Sequence, residues 1–170
     1  TLLSFQDDLS EKEVALFLNE VSEAAKKDGF EAGYSLAIGK IKEYPTCDLL
    51  IGNVAMLLNG LLLFQGNRID SYEKYEEEIE ALFQRVMQSD RIDIREQAQA
   101  YLISKLMEKQ DYEQAQKVLD TISKKRVLDR EQLQANLYIA QGELEKAAKL
   151  TEEKLLSATT EIHGALMTLM

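Results

Sequence analysis

Proline occurs once in this 170-residue chain, at Pro45, and glycine only eight times. Sandwiches and barrels need a Gly- or Pro-bearing turn every few residues, so breakers this sparse argue against them and leave helices. Apolar spacing agrees. Val14, Phe17, Leu18, Val21 and Ala25 share one face of a helix expected from about Glu11 to Lys27, with Ser10 and Glu13 forming a capping box at its start. Leu36, Ala37 and Ile41 carry a second helix that Pro45 stops. Further helices are expected over Asp48–Gln65, Ile69–Gln88, Ile94–Glu108, Glu113–Lys125, Arg130–Gln141 and Leu144–Ser157, with a ninth from Thr160 to Met170. No stretch alternates with period two for long enough to predict a strand.

Hydrophobic residues make up 45% of the chain and charged residues 29%, a globular composition. A chain of this length suits one domain or an array of small repeats. Thirty acidic against twenty basic residues give a formal charge of −10. That field repels phosphate, which disfavours direct nucleic-acid contact and an anionic membrane surface. The apolar run Cys47–Phe64 is interrupted by Asp48, Asn53 and Asn59 and falls short of the roughly 20 residues of a span, so it reads as a helix packed on nearly all sides. Cys47 has no partner for a disulfide, which suits a reducing, cytoplasmic compartment. The first residue is Thr1, not Met, as expected of a piece excised from a longer chain or of a processed one.

Three short cassettes recur: Lys27-Asp28-Gly29-Phe30-Glu31-Ala32-Gly33, Lys109-Gln110-Asp111-Tyr112-Glu113-Gln114-Ala115 and Gln141-Gly142-Glu143-Leu144-Glu145-Lys146-Ala147. Each places a polar turn, a large apolar residue, Glu, any residue, then Ala or Gly. The turn joins two helices, the large residue plugs the groove between them, and the small one lets them cross closely. Tyr112 and Leu144 stand 32 positions apart.

On these residues the chain resembles a tetratricopeptide repeat protein, whose helix pairs recur about every 34 residues. Phe17, Gly33, Ala37 and Pro45 fall at the family's spacing in a first repeat; Ala115 and Leu119 match in a third, and Ala135, Tyr138 and Ala147 in a fourth. The second repeat is longer than the standard, Thr151 replaces a usual large residue, and the signature Trp is absent. The resemblance implies an all-α, right-handed superhelical array of antiparallel helix pairs, a tetratricopeptide-like solenoid over residues 11–157, after a linker at 1–10 and before a C-terminal helix at 158–170. The opening LLSFQDDLSEKEVALFLNEV followed by such an array also resembles the linker and C-terminal part of bacterial Xre/Cro-type helix-turn-helix regulators. That resemblance implies a regulatory peptide- or protein-binding and dimerising domain, with the DNA-binding domain missing from this chain. A stand-alone tetratricopeptide-like adaptor is the alternative.

An extended peptide presents backbone donors and acceptors, and the amide of Asn answers both. Asn53, Asn59 and Asn136, with Gln97, Met107 and Gln132 at comparable places, are therefore the candidate groove residues. Asn53 and Asn59 are the sharper ones, because their surroundings are so apolar. The plainer reading of all six is inter-helix hydrogen bonding or exposure. His163 has only Glu161 beside it, which is too little company for a metal or catalytic site. Glu73, Glu76, Glu77, Glu78 and Glu80 read as a solvated helix face, and Lys124-Lys125-Arg126 with Arg130 as a helix-end cluster. Leu166, Leu169 and Met170 would extend an apolar stripe suited to self-association. No phosphate loop, nucleophile elbow or dinucleotide fingerprint is present, so neither an enzyme nor a cofactor is expected.

Overall fold

Among the described residues eight α-helices follow one another and no strand occurs: α1 Glu11–Asp28, α2 Phe30–Glu43, α3 Asp48–Gln65, α4 Tyr72–Val86, α5 Ile92–Glu108, α6 Tyr112–Thr121, α7 Arg130–Ala140 and α8 Leu144–Thr168. The computed structural model describes residues 8–65, 69, 71–122 and 130–168, without the side chains of 161, 163–166 and 168. Most of the opening segment, Gly66-Asn67, Lys124-Lys125-Arg126, Leu169 and Met170, and the side chains of Glu161, His163 and Leu166, thus lie outside the described residues. The chain divides into two compact units, Thr1–Ala98 and Gln99–Met170.

In the first unit α1 begins with the expected capping box. Ser10 Oγ accepts from the Glu13 backbone N–H at 3.3 Å, and the Ser10 backbone N–H donates to Glu13 Oε2 at 2.9 Å. Val14, Phe17, Val21 and Ala25 bury the apolar face. Gly29, at a φ of 94°, ends α1 and starts α2 in a single residue, a backbone conformation that suits glycine. Phe30 then plugs the pair, and Gly33 sets its spacing. A Cβ on Gly33 would lie 2.7 Å from Ala25 Cβ and 3.0 Å from Val21 O, so the two helices touch along their backbones. Helix α2 stops at Glu43, ahead of Pro45.

Helix α3 packs against α1, α2 and α4 and buries Leu49, Leu50, Ile51, Val54, Ala55, Leu58 and Leu62. By length and hydropathy it is long and apolar enough to cross a membrane. The sequence predicts cover on nearly all sides; instead Met56, Leu63 and Phe64 are exposed, Phe64 at 90%. Gly52 lets α5 approach, for a Cβ there would meet Ile94 Cγ2 at 2.6 Å. Arg85 of α4 donates to Pro45 O at 2.8 Å and ties α4 to the α2–α3 turn.

In the second unit Ile103, Ala115, Leu119, Ile122 and Leu137 form the core, with Leu106, Met107, Tyr112, Val118 and Leu133 packed around it. Two turns are built alike. After α5, Gln110 N–H donates to Met107 O and Asp111 N–H to Leu106 O; after α7, Gly142 N–H donates to Ile139 O and Glu143 N–H to Tyr138 O. Both are Schellman motifs with a left-handed residue, Gln110 at φ 60° and Gly142 at φ 77°, 32 positions apart like the cassettes they lie in. Gln116 and Gln134 exchange two side-chain hydrogen bonds, at 3.0 and 2.8 Å, between α6 and α7.

The expected break before a ninth helix does not occur: α8 runs unbroken from Leu144 to Thr168. Thr159 and Thr160 turn their hydroxyls back onto Leu155 O and Leu156 O, each at 2.8 Å, and so stay helical. Helix α4 starts at Tyr72, not Ile69, and α5 at Ile92, two residues early.

Candidate functional site

The first unit holds a hollow of about 260 Å³ between three helices. Helix α1 lines it with Glu11, Val14, Ala15 and Leu18, and α3 with Leu49 and Asn53; Arg91 and Asp93 close it at the start of α5. The positions follow from helical periodicity. Glu11, Ala15 and Leu18 recur one turn apart on α1, as Leu49 and Asn53 do on α3.

Arg91 organises the mouth. Its Nη2 donates to Glu11 Oε1 at 3.0 Å and to Asp93 Oδ2 at 3.3 Å, so one cation bridges two carboxylates 82 residues apart. Those two bonds, Glu11 foremost, hold the guanidinium in its charged form and push its pKa up further. Asn53 is half-buried and donates Nδ2 to Leu49 O at 2.8 Å, the carbonyl one turn back. That bond leaves its Oδ1 without a hydrogen bond among the described residues.

The six sequence candidates are not all brought together. Asn53 lines the hollow, and Asn59, half-buried on the same helix, stands about 120° further round it. Gln97 is half-buried on α5, its Oε1 covered and without a hydrogen-bond partner among the described residues. Met107 packs against the core of the second unit. Gln132 and Asn136 are exposed on α7, where Gln132 Nε2 donates to Asn136 Oδ1 at 3.1 Å. The triad Glu11–Arg91–Asp93 escaped the sequence reading, for its members are far apart and two of them look like ordinary first-turn acids.

A second concave surface lies in the other unit, lined by Ile139, Leu144, Ala147, Ala148, Thr151, Glu152 and Leu155. It continues along α8 to Ile162 on the same side, while Leu156 and Met167 are exposed on another side of the helix. Leu144, expected to plug a groove as Phe30 does, is 64% exposed.

Elsewhere polar side chains serve packing. Tyr34 donates to Glu78, and Phe30, Tyr34 and Tyr75 cluster with ring centroids 4.8–6.0 Å apart. Burial first, then the Glu78 bond, pushes the Tyr34 hydroxyl well above the usual tyrosine range. Cys47 is buried and free. Among the described residues no three His, Cys, Asp or Glu side chains converge as a metal set would. No protein-family model matches this chain, and no curated protein or solved structure matches it either.

Proposed function

We propose that this chain is the regulatory, partner-binding and dimerising part of a bacterial helix-turn-helix transcriptional regulator, working in the cytoplasm and built as a degenerate, right-handed tetratricopeptide-like array. The observation that carries the reading is the hairpin turn repeated at a spacing of 32 residues, with Ala115 and Ala147 at the buried crossing positions. Stacked hairpins of that kind present continuous faces to partners and are suited to binding rather than catalysis. The DNA-reading element belongs outside these residues, in keeping with a charge of −10. A peptide or protein in the groove of the array would act by favouring one dimer geometry over another.

The dimer surface in this reading is the open stripe of α8. Leu144, Ala148, Thr151, Leu155 and Ile162 recur at steps of three, four and seven, about 100° round the helix from the side that packs on α7. Four large apolar side chains here, Ile139, Leu144, Leu155 and Ile162, are each more than half exposed. At about 100 Å² apiece they supply about half of the roughly 800 Å² per partner of a stable interface, and the smaller residues between them add to it. Sedimentation of the chain at micromolar concentration tests the point. A dimer is expected, and Leu155→Lys with Ile162→Lys should give a folded monomer. A wild-type monomer removes dimerisation from the reading. Sequencing the gene upstream of the Thr1 codon tests the DNA link: a helix-turn-helix segment is expected, and its absence favours the adaptor.

A further inference from the structure

We propose that the hollow between α1, α3 and the start of α5 seats a short peptide with a cationic group at one end followed by apolar residues. The proposal rests on the peptide-binding reading above and names the ligand chemistry of one site within it. On the floor Ala15 and Leu18 are the accessible apolar residues, with Val14 and Leu49 buried beneath them, and they offer contact to a hydrocarbon side chain. The space of about 260 Å³ corresponds to roughly nine waters, room for more than one such side chain.

The rim decides the sign of the ligand. One guanidinium faces two carboxylates, which leaves one net negative charge at the mouth. Glu11 and Asp93 each give one oxygen to Arg91 and keep the other without a hydrogen bond among the described residues. Their side chains are 79% and 48% exposed, so those oxygens reach solvent. Asn53 Oδ1 adds a third acceptor. The solvent-facing vacant positions are thus acceptors, which call for an ammonium or guanidinium donor; Arg91 Nε, a donor without a hydrogen-bond partner among the described residues, is buried. An anionic ligand would meet two carboxylates, while Arg91 already bonds both through Nη2 and keeps its Nε buried. The chain's charge of −10 adds a long-range attraction of the same sign.

The outer face of α3 supplies the rest of the seat. Asn53, Met56, Gly60 and Phe64 lie within one 80° sector and cover about 16 Å of helix, the length of about five residues of extended peptide. A Cβ on Gly60 would meet nothing within 4 Å, so a ligand backbone approaches there freely. Met56 and Phe64 offer apolar contact on either side.

Two synthetic pentapeptides test this on the 170-residue chain, Arg-Leu-Ile-Leu-Phe and its twin Glu-Leu-Ile-Leu-Phe, both labelled at the C-terminus and compared by fluorescence anisotropy. The basic peptide should bind about tenfold tighter than the acidic one, a preference that shrinks as salt rises. Glu11→Gln and Asp93→Asn should each weaken it by about threefold and narrow the gap between twins. Ala15→Leu, at an exposed helical position that tolerates leucine, should fill the hollow and release both peptides while the circular dichroism stays unchanged. Equal affinity for the twins, a preference for the acidic one, or binding indifferent to Ala15→Leu overturns the proposal. Failure of both peptides overturns it too. A random pentapeptide display library then separates the two readings: acidic or neutral binders leave a peptide receptor with another specificity, and an empty selection removes peptide binding altogether.

Discussion

Gly33 and Gly39 lie in one helix and should respond oppositely to the same change. A methyl at position 33 meets Ala25 Cβ and the Val21 carbonyl, and a backbone oxygen cannot swing aside. Gly33→Ala should cost about 2 kcal/mol through forced separation of α1 and α2, even after the gain in helix propensity. Position 39 has nothing within 4 Å, so Gly39→Ala should stabilise by about 0.7 kcal/mol. Urea melts of the two variants read both signs. The crossing at Gly33 was legible in the sequence because turn, large residue and small residue stand in a fixed order. The same order at Leu144 misled, since a cassette specifies its own hairpin and not what lies beyond it. Asn53 was legible as a polar residue in an apolar run. Its neighbours Arg91 and Asp93 were not, because proximity across 38 residues or more is a product of packing and leaves no local pattern.

Helix ends carry the next set of expectations. The two Schellman turns of the second unit differ in their left-handed residue, which is glutamine at 110 and glycine at 142. A side chain there costs about 1 kcal/mol, so Gln110→Gly should raise stability by that amount, measured as a higher urea midpoint with the slope unchanged. At the start of α1, Ser10→Ala should destabilise by about 1 kcal/mol at neutral pH. The hydrogen bonds from Ser10 hold the Glu13 carboxyl below the usual glutamate range. A depressed acid stabilises the fold above its unfolded pKa and ceases to as pH falls through the folded one. The gap between wild type and Ser10→Ala should therefore be full at pH 7 and close on acidification below the ordinary glutamate value. Helix identities were readable from periodicity, but the length of α8 was not. The sequence places a helix end at Ser157 and a new start at Thr160, whereas the hydroxyls of Thr159 and Thr160 bond carbonyls within one continuous helix.

For the molecule as a whole, α3 has a consequence that concerns biosynthesis. It is the most apolar helix in the chain, and alone it would satisfy a membrane insertion apparatus by length and hydropathy. In the native order its neighbours α1 and α2, which cross closely at Gly33, leave the ribosome first. A nascent α3 therefore emerges beside a waiting surface, and the interval in which its leucines stay bare is short. A circular permutant that starts at Asp48 reverses the schedule: α3 is made first and its receiving hairpin last. Such a permutant should yield markedly less soluble protein and more in the membrane and aggregate fractions, although its finished set of contacts is the same. Chain order here acts as a chaperone would, by deciding which surface exists when the stickiest segment arrives.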